Sequence, residues 1–378
     1  MLCVAVKSNP DPYVLRLLAG LGTGFDCASH AEIAQVLEIG VVPSRIVFAN
    51  PCKPASFVRA AARTGVDMMT FDNADELHKV ARTHPRAKLI VRILTDDSRS
   101  LCRLGLKFGA PLDAVPGLLA TARGLGLDVI GVSFHVGSGC FDADAFGDAV
   151  RRAKAAFEMG KTAGYRFTLL DVGGGFEDGE FERMAGVLRG AIEVYFPERE
   201  KEGVRVIAEP GRFFVSRAFT LAANIIARRA PGNDDDDDRV MCECSAVCVF
   251  VYLCANTLPD YINDGVYGSF NCILFDHQTV QPYVVTLRGS FASETALLRE
   301  RHATSSVWGP TCDSIDRVCA ATQLPTTLAV GDWLGFRNMG AYTVCAASQF
   351  NGFETSKIVY TSGIEGTMEA AAVRRALQ

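Results

Sequence analysis

Five polar residues stand directly after short apolar runs, where acid, base or nucleophilic side chains lie in many α/β enzymes. They are Lys7, Asp26, His135, Asp171 and Glu209. A buried lysine amine has a lowered pKa and can form a Schiff base with a carbonyl compound. Each residue also has an ordinary interpretation: the lysine extends into solvent from a strand end, the histidine is a hydrogen-bonded core residue, and a carboxylate belongs to a loop.

Glycines follow the last two of these runs. Gly173–Gly175 comes after the seventh run, and Gly211 with Arg212 comes after the eighth. Glycine lets backbone N–H groups approach an oxyanion, and arginine adds a bidentate contact, so the two segments could bind a phosphate. A tight turn is the alternative, and a dinucleotide fingerprint fits worse because it belongs in the first βα unit. A phosphate site opposite a lysine suggests pyridoxal phosphate, with Glu209 at its ring nitrogen and His135 stacked on its ring.

The first 217 residues alternate short apolar, β-branched runs with segments of helical period. The helical segments include 31–39, 54–63, 74–82 and 143–163. Eight strands that are each followed by a crossover predict a (β/α)8 barrel over residues 1–217, and a doubly wound open sheet is the alternative. The predicted strands are Leu2–Val6, Gly24–Cys27, Ile46–Ala49, Met68–Phe71, Leu89–Leu94, Val129–His135, Thr168–Val172 and Val206–Ala208.

Helical periodicity fades after this point, and residues 218–378 are predicted to form a mostly β domain. The segment from about 230 to 260 is an atypical insert, and its Asp234–Asp238 run predicts a solvated, mobile loop. The cysteines near it match no zinc-binding spacing, so no metal site is expected; they are Cys242, Cys244, Cys248 and Cys254. The predicted strands are Ala218–Ile226, Ser269–Leu274, Tyr283–Leu287, Thr327–Val330 and Trp333–Phe336.

Composition narrows the class of protein. The 378 residues carry 38 Lys and Arg against 43 Asp and Glu, a net charge of −5 that argues against a nucleic-acid or anionic-membrane partner. The 13 scattered cysteines indicate reduced thiols and a cytoplasmic protein. No signal peptide is evident, and no uncharged stretch is long enough to span a membrane.

Several longer motifs, taken together, resemble the eukaryotic ornithine decarboxylases, a family of fold type III pyridoxal-phosphate decarboxylases. The resemblance covers most of the chain, from about Val4 to Phe353, and its motifs are collinear. The matching stretches are AVKSN, GFDCAS, CRLGLKFGA, SFHVGSGC, DVGGGF, AEPGR, NDGVYGSFNCILFDH, SSVWGPTCDSID, GDWLGFRNMGAYT and FNGF.

The resemblance implies a set of residues around pyridoxal phosphate. Lys7 would hold the cofactor as a Schiff base, Glu209 would pair with the ring nitrogen, and His135 would stack on the ring. Asp26 and Arg103 would help to orient the cofactor. The remaining residues would bind or shape the phosphate site: Ser138, Gly173, Gly174, Gly175, Gly211, Arg212 and Tyr342.

The resemblance also implies decarboxylation of L-ornithine to putrescine, a step of polyamine biosynthesis. Asp276 and Asp313 would bind the distal ammonium of the substrate, with Phe275 and Phe350 beside them, and Cys312 would return a proton to the substrate. In this family Cys312 and Asp313 reach the other subunit, so a homodimer with shared active sites is expected. An antizyme-type regulator is a further partner that the resemblance suggests.

Other functions fit the same motifs less well. A lysine-type decarboxylase remains an alternative, because Asp276 and Asp313 favour a distal ammonium without fixing its distance. A racemase of this fold is less favoured because WGPTCDSID belongs to the decarboxylase pattern. A diaminopimelate decarboxylase is less favoured because the distal carboxylate of its substrate would meet two acids, Asp276 and Asp313. A non-catalytic, antizyme-inhibitor-like binding protein is the alternative from another class. The chain departs from the family in three respects: it begins at the strand of Lys7, a Cys-rich apolar stretch occupies residues 239–260, and Phe275 stands where many relatives have tyrosine.

Overall fold

The computed structural model describes residues 2–228, the backbone of 244–250, and residues 263–361. The chain divides into an N-terminal unit, residues 1–214, and a C-terminal unit that begins at Val215. The sequence prediction placed this division three residues later. The predicted Asp234–Asp238 loop, Cys242 and Cys254 lie outside the described residues.

Eight parallel strands form a closed barrel in the N-terminal unit. They are joined in chain order, and a parallel bridge between Leu2 and Ala208 connects the last strand to the first. The amide of Cys3 donates to the carbonyl of Ala208 at 2.7 Å across this closure. The barrel strands are β1 (Cys3–Ala5), β2 (Gly24–Cys27), β3 (Ile46–Phe48), β4 (Met68–Phe71), β5 (Lys88–Arg92), β7 (Asp128–Ser133), β9 (Leu169–Asp171) and β10 (Arg205–Ile207), and a two-stranded ribbon of β6 (Ser100–Cys102) and β8 (Ser138–Cys140) lies between them in the chain.

Helices cover the outside of the barrel and begin at polar caps. The side chains of Asp11, Ser29 and Asn73 accept hydrogen bonds from the first turns of the helices that follow them. The helices of this unit are α1 (Pro12–Gly20), α2 (His30–Glu38), α3 (Ala55–Thr64), α4 (Ala74–Thr83), α5 (Val115–Gly124), α6 (Asp144–Thr162), α7 (Phe181–Tyr195), α8 (Arg199–Glu202) and α9 (Arg212–Val215). The barrel interior is packed with the side chains of Cys3, Val47, Met68, Ile90, Leu169 and Ile207.

The C-terminal unit is built on a mixed sheet. Its strands follow the order β13-β12-β11-β19-β14, and β20 pairs with β12. The described elements are β11 (Phe219–Ile225), β12 (Cys244–Phe250), β13 (Asn263–Asp264), α10 (Cys272–Phe275), β14 (Pro282–Val284), β15 (Thr286–Leu287), β16 (Ser290–Phe291), α11 (Glu294–Leu297), β17 (His302–Trp308), β18 (Arg317–Pro325), β19 (Trp333–Phe336) and β20 (Lys357–Val359). Part of the atypical insert, β12, therefore lies in the sheet and pairs with β11 along seven residues.

Two predicted strands of this unit are wrong, and a buried aspartate lies beside each. Residues 269–275 form a 3-10 turn and the short helix α10, because the Asp264 carboxylate accepts the amides of Gly265 and Ser269 and folds the chain back on itself. Residues 327–330 form a turn, because Asp332 accepts the amide of Ala329 at 2.9 Å. The antiparallel pair β17 and β18 was not predicted.

Membrane-spanning helices and metal sites are both absent from the described ranges. No helix in them is long and apolar enough to cross a bilayer. No group of three or more His, Cys, Asp or Glu side chains in them has the arrangement of a metal site.

Candidate active site

Lys7 and Asp26 form an ion pair at the carboxyl end of the barrel. Ala5 pairs with Asp26 in the register of β1 and β2, and the 3-10 turn Val6–Ser8 then carries Lys7 beyond the strand. The Nζ atom of Lys7 lies 2.9 Å from Oδ2 of Asp26. Asp26 is buried, but the Lys7 side chain is 48% exposed. The expectation of a buried Lys7 is therefore wrong, because the turn lifts the amine to the mouth of the barrel, where a carbonyl compound can reach it.

Asp171 and Glu209 bring two carboxyl groups together on the last two barrel strands. Asp171 pairs with Ile207 in the register of β9 and β10, and the Glu209 amide donates to the Gly173 carbonyl at 2.6 Å. Burial raises the pKa of Asp171 to about 6. Burial, followed by the charge of Asp171, raises the pKa of Glu209 well above its usual value. The pair therefore holds a proton more firmly than isolated carboxylates do.

Both carboxyl groups present a buried oxygen without an outside donor. In the described part of the chain, Oδ2 of Asp171 and Oε1 of Glu209 receive no hydrogen bond from any group outside this carboxyl pair. Buried polar atoms in native proteins usually have partners. A protonated nitrogen of a bound ring would satisfy Glu209, so this position fits the pyridine nitrogen of pyridoxal phosphate.

His135 follows β7 and is held as a neutral imidazole. Burial, assisted by the positive charges of Arg92 and Lys7, lowers the pKa of His135 well below its usual value. Its Nδ1 accepts the Gly137 amide at 3.0 Å, so the ring proton is assigned to Nε2. A neutral, flat ring in this position is suited to contact an aromatic cofactor face to face.

Arg92 is a site residue that the sequence interpretation missed. It ends β5 inside the barrel, and burial lowers the pKa of its guanidinium while Glu209, Asp72 and Asp26 act to raise that pKa. Arg92 therefore supplies a positive charge to the carboxylate-rich centre of the barrel. Its signal in the sequence is a charged residue at the end of the strand KLIVR, directly before another apolar pair.

Arg103 occupies a different place from Arg92. It lies in the loop after β6, its side chain is 48% exposed, and its nearest described ionic partner is Asp97 at 3.6 Å. In this structure Arg103 contacts the loop between β5 and β6, and its orienting role toward the cofactor stays a prediction.

Glycines form a narrow cradle beside Arg212. Gly137, Gly139, Gly173 and Gly175 all have positive φ angles, which side-chain-bearing residues rarely adopt. A Cβ atom on Gly174 would lie 2.7 Å from the Glu209 carbonyl oxygen, so the cradle tolerates no side chain there. Gly211, at the start of the next turn, accepts the Phe214 amide at 3.1 Å.

The cradle already holds an anionic group. The Glu177 carboxylate accepts the Gly139 amide at 3.1 Å and lies 3.7 Å from Nε of Arg212. Ser138, one residue before Gly139, begins strand β8 of the ribbon and pairs with Cys102 of β6. An amide and a guanidinium that converge on one carboxylate show that this corner is built for negative charge, so the donor set fits a phosphate group.

The proposed proton donor and ammonium site lie together in the C-terminal unit. Cys312 is exposed, and its amide donates to Oδ1 of Asn351 at 3.3 Å. The hydroxyl of Tyr267 donates to Oδ2 of Asp313 at 2.5 Å, and this bond lowers the pKa of Asp313. Tyr267 also stacks on Phe350 with ring centroids 4.2 Å apart. Tyr267 belongs to the quoted NDGVYG motif but was not assigned a role from the sequence.

Buried Asp316 holds this loop in place. Its carboxylate accepts the Val266 amide at 2.7 Å and the Thr311 hydroxyl at 2.7 Å, so it ties the segment before Tyr267 to the segment before Cys312. The sequence interpretation did not single out Asp316.

Three more predicted residues occupy the same unit. Asp276 follows helix α10, and its amide donates to the Cys272 carbonyl at 3.1 Å. Phe275 is 70% exposed. Tyr342 has a left-handed backbone, with φ of 55°, a conformation that is uncommon for a residue other than glycine. The structure describes the two units separately, so a meeting of these residues with the barrel stays a prediction.

Comparison with known families identifies the fold and cofactor class. Residues 1–216 match the family described as pyridoxal-dependent decarboxylase, pyridoxal binding domain, and residues 194–340 match its C-terminal sheet domain. The chain belongs to the pyridoxal-dependent decarboxylases. Its cofactor is pyridoxal phosphate, as the lysine, carboxylate and anion-cradle arrangement predicted, and the predicted barrel followed by a sheet domain is confirmed.

Individual relatives are similar over nearly the whole chain. Ornithine decarboxylase of Schizosaccharomyces pombe is 51% identical over 356 residues, which cover 94% of this chain and 76% of that protein. Antizyme inhibitor 2 of Xenopus laevis is 48% identical over 379 residues, covering 99% of this chain and 78% of that protein. The solved arginine decarboxylase of Paramecium bursaria Chlorella virus, bound to agmatine, has a TM-score of 0.82 at 34% identity, covering 95% of this chain and 90% of that one.

Proposed function

We propose that this decarboxylase converts L-ornithine to putrescine and CO2. The observation that carries the proposal is about 50% identity to curated ornithine decarboxylases, and it is supported by a barrel in which burial raises the pKa of Glu209 and the charge of Lys7 acts to lower it. The bound cofactor supplies an electron-withdrawing ring that stabilises the charge left on the substrate when CO2 departs.

The barrel residues divide the work of holding the cofactor. Lys7 supplies the amine for covalent attachment, and Asp26 at 2.9 Å orients that amine. Glu209 would hold a proton at the ring nitrogen, and the neutral His135 ring would pack against the ring of the cofactor. Arg212 and the glycine amides would bind the phosphate and so fix the cofactor's position before the substrate arrives.

The C-terminal residues would handle the substrate. Asp313 and Asp276 bind the distal ammonium, because two carboxylates in one pocket favour a second positive charge. Phe275 and Phe350 line the apolar methylenes between the two amines. Cys312 delivers a proton to the carbon that has lost CO2.

The quaternary arrangement is part of this proposal. Cys312 and Asp313 extend into the active site of a second subunit, so the functional form is a homodimer with shared sites. Cys312 and Phe275 are both exposed on the C-terminal unit, so a second subunit could cover them. Their exposure supports the shared-site arrangement. A cytoplasmic location and regulation by an antizyme-type protein complete the proposal.

A binding protein without activity is the second candidate, because Antizyme inhibitor 2 is similar over 99% of the chain. Residues needed for chemistry argue against it here: Lys7, Glu209, Arg212, Cys312 and Asp313 are all present.

One experiment separates the candidates. Purified protein is mixed with pyridoxal phosphate, the absorbance of the attached cofactor is recorded, and CO2 release is measured from ornithine and from lysine. We expect a cofactor band and CO2 from ornithine, both lost in Lys7→Ala. Faster release from lysine would shift the substrate assignment. A folded dimer that releases no CO2 from either substrate would contradict decarboxylation and favour the binding protein.

A further inference from the structure

Glu177 lies where the cofactor phosphate is expected. It follows the glycine run by two residues, and its side chain is 14% exposed beside an Arg212 side chain that is 10% exposed. Its Oε1 atom accepts the Gly139 amide at 3.1 Å and lies 3.7 Å from Nε of Arg212. The carboxylate thus occupies the neighbourhood of Arg212, the arginine expected to bind the phosphate, and takes up an adjacent backbone amide.

We propose that Glu177 is a built-in competitor for the phosphate site, which occupies the cradle in the cofactor-free protein and must move away when pyridoxal phosphate binds. The inference rests on the cofactor assignment and extends it to how tightly this chain retains the cofactor. A phosphate and a carboxylate cannot share the Gly139 amide, and two anions at one guanidinium repel each other. The binding energy of the phosphate is therefore reduced by the energy of the contact that Glu177 loses.

The position of Glu177 allows this movement. The residue lies between the glycine run and a short 3-10 turn, Asp178–Glu180, and has extended backbone angles. Rotation about its side-chain bonds carries the carboxylate toward solvent without moving the glycines. If Glu177 instead only held the cradle in shape, its replacement would weaken anion binding. The competitor role and the purely structural role therefore predict opposite changes in anion affinity.

The charged surroundings are compatible with a titration test. Burial raises the pKa of Glu177, Arg212 acts to lower that pKa, and Asp178 acts to raise it. Cys102 also faces Glu177 and Arg212 from the neighbouring ribbon, and burial raises the pKa of its thiol, so it stays neutral below pH 8. Acid should therefore neutralise Glu177 and open the cradle.

The test is made on the full chain without cofactor. We measure dissociation constants in the wild type and in Glu177→Gln for two anions, pyridoxal phosphate and sulfate. Sulfate stays fully ionised near neutral pH. The glutamine oxygen still accepts the Gly139 amide but carries no charge. We expect about tenfold tighter binding of both probes, the size of one charge-assisted contact. Glu180→Gln, which removes an exposed partner of Arg183, should leave both constants unchanged.

The pH dependence gives an independent result. As the pH is lowered from neutrality, sulfate binding should tighten more in the wild type than in Glu177→Gln. Equal or weaker binding in Glu177→Gln, with an unchanged urea midpoint, would overturn the competitor role. If Glu177→Gln is less stable, Glu177→Asp, which shortens the side chain and withdraws the carboxylate, should tighten binding as well, and its failure to do so also overturns the inference.

The proposed function is tested separately. A wild-type protein that binds the cofactor but releases no CO2 from ornithine contradicts the substrate assignment and leaves the competitor role intact. A wild type that binds sulfate but not pyridoxal phosphate contradicts the cofactor placement in this cradle.

Discussion

The carboxyl groups of Asp171 and Glu209 lie against each other at the ends of two adjacent barrel strands, both in the barrel interior. Two buried carboxylates repel each other strongly, and a single shared proton relieves that repulsion. The pair can thus store, before the cofactor binds, the proton that Glu209 later holds at the ring nitrogen. Lys7 and Arg92 supply positive charge to the pair, whereas Asp26 adds negative charge.

Replacement of Asp171 by asparagine should change the proton balance of cofactor binding. The variant cannot share a proton with Glu209, so a proton must come from solvent when pyridoxal phosphate binds. We expect the affinity of Asp171→Asn to fall more steeply than that of the wild type as the pH rises above about 6, by up to about tenfold for each added pH unit. Fluorescence titration measures the dissociation constant of pyridoxal phosphate for each protein at each pH. Parallel pH profiles in the two proteins would show that Asp171 holds no such proton.

Asp264 should make the folded state less stable as the pH rises. Burial raises the pKa of Asp264 to about 6 from an ordinary value of 3.8. An acid that binds its proton more tightly in the folded state stabilises the fold below pH 3.8, and this contribution is lost between pH 4 and 6. Asp264→Asn keeps an oxygen for the Gly265 amide and does not titrate. The urea midpoint of the wild type, relative to that of Asp264→Asn, should therefore fall between pH 4 and pH 6.5. A pH-independent difference would count against this assignment.

Tyr267 should control the affinity for the substrate through Asp313. Tyr267→Phe removes the hydroxyl that donates to Oδ2 of Asp313 but keeps the stacking on Phe350. We expect KM for ornithine to rise about five- to tenfold with a smaller change in kcat, because Asp313 loses the hydroxyl donor that orients its carboxylate. Tyr283→Phe, on strand β14, is the matched control. In the Asp313→Asn background the effect of Tyr267→Phe should largely vanish, and full additivity would place its action elsewhere.

Cys312 should affect the chemical step more than binding. Cys312→Ala removes the proposed proton donor, so we expect kcat to fall about a hundred- to ten-thousandfold while KM changes little. Cys345→Ala is the matched control, because Cys345 is also exposed in the same unit. Steady-state CO2 release gives both constants. A loss confined to KM would reassign Cys312 to substrate binding.

The barrel could be predicted from the sequence because its strands are short, apolar and separated by helical segments. All eight predicted barrel strands are present, with ends that differ by up to two residues. The C-terminal unit was harder, because an apolar run such as 269–274 fits a strand or a buried helix equally well. The side chain that decides between them, Asp264, lies five residues away and acts through its burial, which no local pattern reveals.

The candidate site was predicted at strand ends but not inside strands. Lys7, His135 and Glu209 were found because each directly follows an apolar run. Arg92 was missed because it closes a run that the pattern continued through to Leu94, and its inward direction depends on the barrel register. Glu177 was missed because a carboxylate in a loop has no signal until the Gly139 amide is seen beside it.

The closure of the barrel between its first and last strands also governs when the protein can bind its cofactor during synthesis. Glu209 leaves the ribosome about two hundred residues after Lys7, and the two reach one another only after β1 and β10 have joined. At roughly 5–20 residues per second, the nascent chain spends about 10–40 s with its lysine made and its acid still missing. Cofactor capture is therefore a late event, and it reports that the whole N-terminal unit has been completed.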